Sequence, residues 1–289
     1  MAGVRYRTNL AAADYDLAAT LDSGQAFRWV RRGDAWESVI GGRWVTLRQD
    51  GGCIAAGTNR SPGDWGWLRD YLRCDEALDP ILKSFPDDQP MKVSVAACRG
   101  LRLLRQEPWE CLASFICSAS KRIVQIRQIV DHLCTRHGTV VGPLAARVRH
   151  DFPTAARLAA CSEPELRECK MGWRARYVRD SAALVAAGEV DLRGLASLDC
   201  AAARRELLRL PGVGRKVADC VLLFAYGFQE AFPVDVWIGR GLRELYFPRR
   251  KPTRQRLEKF TANHFGPYAG YAQQYLFHYV RTIRKTESS

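Results

Sequence analysis

Between residues 26 and 57 apolar and polar side chains alternate, and Gly-rich turns cut the run at regular intervals. Phe27 and Trp29 precede Arg32-Gly33-Asp34, Trp36 to Ile40 precede Gly41-Gly42, and Trp44 to Leu47 precede Asp50-Gly51-Gly52. A period of two between two-residue turns predicts an antiparallel meander. From about Trp65 the period lengthens, and beyond the Pro/Asp-rich stretch Ser84 to Pro90 it stays helical to the end. Ile123, Ile126, Val130 and Leu133 form one buried stripe, and Ser162-Glu163-Pro164-Glu165 has the form of a capping box. The expected class is α+β, with an antiparallel sheet domain over residues 1–92 and an all-helical domain over 93–289.

Inside the helical domain a single segment breaks the periodicity in an informative way. Ala201 to Leu208 reads as a helix, Leu210-Pro211-Gly212-Val213-Gly214 ends it, and Lys216 to Leu223 resumes the helical pattern. This is a helix-hairpin-helix. Gly212 and Gly214 let backbone amides approach a phosphate, and the second helix turns its positive N-terminus to the same anion. Such a grip holds DNA regardless of sequence.

Lys216 follows the hairpin directly, and Asp235 sits in Pro233-Val234-Asp235-Val236 ahead of the helical run Trp237 to Leu245. The helix N-terminus and the neighbouring Arg215 disfavour a second positive charge at Lys216, so the free amine becomes accessible as a nucleophile able to form a Schiff base. A lysine that only neutralises a phosphate is the plainer alternative. Asp235 suits a helix N-cap, and the same carboxylate beside the amine would stabilise positive charge developing at a sugar C1′.

Composition agrees with a polyanionic partner. The 289-residue chain is 47% hydrophobic and 26% charged, with a formal net charge of +13. From Arg240 onward 11 Lys and Arg face 3 acids. That balance favours nucleic acid over a membrane surface. No apolar stretch reaches membrane-spanning length, which places the chain inside the cell: cytoplasm or nucleoid in a bacterium, nucleus in a eukaryote. The ten cysteines contain no Cys-x-x-Cys and none follows Cys220, so the clustered four-cysteine iron-sulfur signature is absent. The five histidines lack metal-ligand spacing, and neither a metal nor a cofactor is expected.

Four separated segments together resemble the 8-oxoguanine DNA glycosylase/AP lyase family of the helix-hairpin-helix glycosylase superfamily, the type first known from eukaryotes. They are Leu21 to Trp29 (LDSGQAFRW), Glu110 to Ser118 (ECLASFICS), the hairpin through Cys220 with Pro233 to Val236, and Gly266 to Gln273 (GPYAGYAQ). The resemblance implies Lys216 as nucleophile and Asp235 as the carboxylate that orients and stabilises the reacting centre. It implies that Cys220 and Phe277 flank the extruded base, that Gln273 bonds its Watson-Crick edge, and that the Gly24 carbonyl accepts the N7 hydrogen of 8-oxoguanine. It also implies DNA contacts by Ser120, Gln125, Trp173, Arg174, Gly212, Gly214 and Trp237, and a monomer acting on duplex DNA that contains 8-oxoguanine.

The chain departs from the family pattern at several of these positions. Ser120-Lys121-Arg122 stands where an asparagine run is usual, Gln125 replaces one of two arginines that read the orphaned cytosine, and Arg174 keeps the other. Trp173 replaces a tyrosine and Trp237 a histidine. The family's hairpin also binds a cation through carbonyls corresponding to those of Leu208, Leu210 and Val213. Glycosylases for alkylated bases or oxidised pyrimidines, and a non-catalytic DNA-binding protein, are the alternatives. Alkylation enzymes usually lack the lysine, and pyrimidine enzymes usually carry the cluster cysteines.

Overall fold

A computed structural model describes residues 4–144, 147–249 and 252–286. Five antiparallel strands, β1 (Tyr6–Ala11), β2 (Val30–Arg32), β3 (Ala35–Ile40), β4 (Arg43–Asp50) and β5 (Cys53–Thr58), form one sheet in the order β1-β5-β4-β3-β2. The meander expected from the alternation is β2 to β5. Arg32 pairs with Ala35, Ile40 with Arg43 and Asp50 with Cys53, so each connection is a two-residue turn. Gly41 and Gly42 both have positive φ, the requirement of a type I′ hairpin turn. β1 lies outside the alternating run. It pairs with β5, whose residues lie more than 40 positions away in sequence, so no local turn announces it.

One face of the sheet packs Leu10, Trp29, Trp36, Leu47 and Ile54 against Leu17, Leu21, Leu68 and Leu72 from short flanking helices. Trp29 Nε1 donates to the Tyr71 hydroxyl at 3.0 Å, which offsets the cost of burying both rings' polar atoms. On the opposite face Val39 and Trp44 meet Val4 and Val141. Val141 belongs to a short hairpin, β6 (Val140–Leu144) and β7 (Arg147–His150), set among the helices. The helical periodicity does not reveal this hairpin because only a few residues pair, around the Gly142-Pro143 interruption.

The helical core surrounds helix Pro108–Cys117, in which Trp109 and every residue from Cys111 to Cys117 are buried. A helix apolar on all sides has to be enclosed by others, and here helices Arg174–Ala186 and Arg215–Val221 pack on it. Helix Gln89–Cys98, which spans position 92, packs on the terminal helix Ala269–Thr286. All ten cysteines are free thiols, and eight of them are buried. Among the described residues no helix is long and apolar enough to cross a membrane, and no group of three or more His, Cys, Asp or Glu could hold a metal ion.

Sheet and helices meet at two neighbouring residues. Phe27 lies edge-on to Phe115 with centroids 5.3 Å apart. Arg28 reaches Glu110 at 3.2 Å and Asp151 at 3.7 Å, and donates to the carbonyls of Val39 at 3.1 Å and His150 at 2.5 Å. One guanidinium thus ties the sheet, the central helix and the β6-β7 hairpin together. Arg28→Met should lower unfolding stability by about 2–3 kcal/mol, because it leaves the half-buried Glu110 carboxylate and two carbonyls without their donor. Urea denaturation measures this directly, and a loss below about 1 kcal/mol would make the junction incidental.

Candidate active site

The hairpin begins with helix Cys200–Leu207, capped by Asp199, whose side chain accepts from the Ala202 amide at 2.7 Å. The turn that follows is pressed onto helix Arg174–Ala186. Gly212 has φ +78, and a Cβ there would lie 2.7 Å from Tyr177 Cβ. Ser181 Oγ donates to the Pro211 carbonyl at 2.8 Å on the same side. Gly214, by contrast, has open space around it and serves as a side-chain-free N-cap of helix Arg215–Val221. The first-turn amides of that helix have no intrahelical acceptors, so they stand ready for an anion. Of the three hairpin carbonyls implied as cation ligands, that of Leu210 accepts from the Val213 amide at 3.1 Å.

Helix Arg215–Val221 buries Val217, Ala218, Asp219, Cys220 and Val221 and leaves Lys216 at the margin. Arg215 turns to Asp219 at 3.7 Å, and Arg204 binds the same buried carboxylate at 2.7 Å. Lys216 Nζ donates to Ser118 Oγ at 2.8 Å and lies 5.0 Å from the centroid of the Phe115 ring. Ser118 Oγ in turn donates to the Phe115 carbonyl at 2.6 Å, which leaves its lone pairs for the lysine. Asp235 caps helix Val236–Tyr246 by accepting from the Ile238 amide at 2.7 Å. Burial pushes its carboxyl above the usual carboxylate value, while the cap hydrogen bond and nearby Lys216 favour the charged form. Helix capping and a place beside the amine are therefore compatible roles for one carboxylate.

Lys216 and Asp235 line one cleft of about 1890 Å³, together with Gly24, Cys220, Gln273 and Phe277. These six residues come from four separate segments of the chain: the Gly24 loop, helix Arg215–Val221, the Asp235 cap and helix Ala269–Thr286. Gly24 has φ +84, and a Cβ there would lie 2.7 Å from Ile123 Cδ1 and 3.4 Å from Phe277 Cε1. Gln273 is 4% exposed, and its Oε1 has no hydrogen-bond partner among the described residues. A buried unpaired acceptor costs stability unless a ligand supplies the donor. Burial pushes the Cys220 thiol up to about 12, so at the cleft wall it is a neutral, polarisable group and not a thiolate nucleophile.

The residues expected to touch DNA fall into two groups. Ser120, Gln125, Gly214 and Trp237 line the cleft. Ser120 is exposed with φ +53, a left-handed conformation uncommon for serine. Gln125 Oε1 accepts from the Arg122 amide at 3.0 Å and so helps to cap helix Ile123–His137. Trp237 is 42% exposed at the lip, with Arg240 5.9 Å from its ring centroid. Gly212, Trp173 and Arg174 lie outside the cleft lining. Arg174 is buried, binds the Ala119 carbonyl through Nε at 2.7 Å and through Nη2, and stacks on the exposed Trp173 ring at 4.3 Å. It thereby links the tip around Ser120 to the tryptophan.

Several participants carry no mark of their role in the sequence pattern. Ser118 closes the segment ECLASFICS, yet only the folded chain brings it to Lys216, 98 positions on. The Arg215–Asp219 pair is legible as an i,i+4 spacing within the hairpin helix, but that spacing alone does not distinguish it from any surface pair. Gln25 is fully buried: its Nε2 donates to the Arg102 carbonyl at 2.8 Å and its Oε1 accepts from the Leu104 amide at 2.7 Å. These bonds anchor the loop that carries Gly24.

Comparison with known proteins gives the site its family. Residues 7–112 match the model of the 8-oxoguanine DNA glycosylase N-terminal domain, and residues 113–267 match the helix-hairpin-helix superfamily of base excision DNA repair proteins. The Arabidopsis thaliana N-glycosylase/DNA lyase OGG1 is 31% identical over 93% of this chain and 78% of its own length. A structure of MBOgg1 in complex with a low-affinity DNA ligand aligns with TM-score 0.91 at 32% identity, covering 97% of this chain and 98% of that one. The Clostridium acetobutylicum 8-oxoguanine glycosylase/lyase, solved with duplex DNA containing cytosine opposite 8-oxoguanine, aligns with TM-score 0.90 at 28% identity over 98% and 99%. The chain belongs to the 8-oxoguanine DNA glycosylase family of helix-hairpin-helix base-excision proteins.

Proposed function

We infer that this chain excises 8-oxoguanine from duplex DNA and then nicks the strand at the resulting abasic site, acting as a monomer inside the cell wherever DNA is kept. The observation that carries this reading is the Lys216 amine, held by Ser118 in the same cleft as the partly buried Asp235 carboxylate. The sheet unit, taken as residues 1–92, supplies Gly24, and the helical unit over 93–289 supplies the remaining residues of the cleft.

The chemistry follows from those positions. The base leaves its stack and enters between Cys220 and Phe277, where Gln273 supplies the unpaired acceptor and Gly24 a carbonyl. The Lys216 nitrogen lone pair forms a bond to C1′ as the bond from C1′ to N9 breaks. The departing electron pair stays with the base, which takes up a proton, and the nitrogen loses one. Positive charge builds at C1′ during this step, and the Asp235 carboxylate opposes it at close range. Opening of the sugar leaves C1′ doubly bonded to the lysine nitrogen as an iminium. Loss of a C2′ proton then expels the 3′ phosphate, and water releases the enzyme.

Borohydride reduces the iminium and fixes the enzyme to DNA. Wild-type protein incubated with an 8-oxoguanine duplex and borohydride should form a covalent complex. Failure to do so, with duplex binding intact, would leave only a DNA-binding protein.

Recognition of the opposite base rests on less charge than in relatives with two arginines. Gln125 offers a neutral amide where a guanidinium would offer a fixed donor fork, and its oxygen is engaged at the Arg122 amide. The preference for 8-oxoguanine opposite cytosine should therefore be modest, and Gln125→Arg should enlarge it by about tenfold. Single-turnover rates opposite each of the four bases test this. A strict cytosine requirement in the wild type would show that Lys121, Arg122 or Arg174 fills the gap.

A further inference from the structure

The loop that carries Gly24 is held carbonyl by carbonyl. Arg281, on the terminal helix Ala269–Thr286, donates through Nη2 to the Asp22 carbonyl. Gln274 on the same helix donates through Nε2 to the Ser23 carbonyl at 3.2 Å. On the other side, Gln106 Nε2 donates to the Gln25 carbonyl at 2.7 Å. Three side chains thus hold the carbonyls that flank Gly24, and among the described residues none bonds the carbonyl of Gly24 itself.

Arg281 does more than tether. Its Nη1 would lie 3.2 Å from a Cβ on Gly24, its guanidinium is 5.8 Å from the Phe277 ring centroid, and it lines the cleft. Asp22 holds it further through a carboxylate at 3.9 Å, and Arg127 binds that carboxylate at 2.8 Å. One residue therefore fixes the loop, the stacking ring and the terminal helix relative to one another.

We propose that Arg281 and Gln274 are positioning residues for lesion discrimination: by occupying the Asp22 and Ser23 carbonyls they aim the free Gly24 carbonyl at the donor that distinguishes 8-oxoguanine from guanine. This rests on the functional reading given above. Nothing local in the sequence marks the pair, since Arg281 and Asp22 are separated by 259 positions.

The test separates base recognition from lysine chemistry. A preformed abasic site needs Lys216 but presents no base to the pocket. Arg281→Met and Gln274→Met should each slow single-turnover excision of 8-oxoguanine by about tenfold or more, because displacement of a recognition group by about 1 Å has effects of that order. Borohydride trapping on abasic duplex should stay within about twofold of wild type, and Arg281→Lys, which keeps a cationic donor but not the planar fork, should recover part of the excision rate. Wild-type excision in both methionine variants, or a parallel fall in abasic-site trapping, would overturn the proposal. If the wild type itself traps on abasic DNA but leaves 8-oxoguanine in place, the functional reading fails first and the positioning role falls with it.

Discussion

Lys216→Gln should reduce base excision by at least about 10⁴-fold and eliminate borohydride trapping, since an amide nitrogen has no lone pair available for C1′. Glutamine can still donate to Ser118 Oγ, so the local packing survives. Duplex affinity should change by less than about threefold, because on the proposed reading the hairpin amides and the other basic side chains carry the phosphate contacts. The variant is measured by single-turnover excision, by trapping on 8-oxoguanine and abasic duplexes, and by a binding titration at fixed salt. Covalent capture persisting above a few per cent of wild type would assign the nucleophile to another amine.

Asp235→Asn should lower excision by about 10²–10³-fold while leaving the fold intact. Asparagine caps a helix about as well as aspartate, so the bond to the Ile238 amide is kept and only the charge is lost. The pH dependence carries an opposite sign for stability and for rate. Burial raises the Asp235 carboxyl in the folded state above its unfolded value of about 3.9. Its contribution to stability is therefore fully present below that unfolded value and is lost as pH rises through the folded one. Catalysis needs the carboxylate, so excision should rise with pH across the same interval, and Asp235→Asn should abolish that limb. At neutral pH the variant should be at least as stable as wild type in urea denaturation. A nearly wild-type excision rate would reduce Asp235 to a helix cap.

The features legible in the sequence are local ones. Alternation between two-residue glycine turns announces β2 to β5, and the Pro-Gly-Val-Gly break announces the hairpin with Lys216 at its exit. Capping logic places Asp235 at the head of a helix. The structure keeps each of these because neighbouring residues alone determine them. Contacts closed over long distances leave no such trace. β1 joins the sheet through β5, and Ser118 meets Lys216 only when the central helix lies against the hairpin helix. Arg174 shows a different difficulty. The family resemblance implies Arg174 as a reader of the orphaned cytosine, and its guanidinium is buried against the Ala119 carbonyl, an acceptor that no spacing rule connects to it.

The sulfur chemistry of this fold has a bearing on when the enzyme is needed. Peroxides attack thiolates far faster than thiols, and guanine oxidation rises under the same conditions. Burial holds the thiols of Cys98, Cys117, Cys134 and Cys220 up to about 12, and those of Cys169 and Cys200 up to about 11. At neutral pH these side chains stay protonated. On the proposed reading Cys220 walls the base pocket, and excision by the wild type should therefore survive a peroxide challenge that oxidises exposed thiols; loss of activity together with sulfenic acid at Cys220 would contradict this.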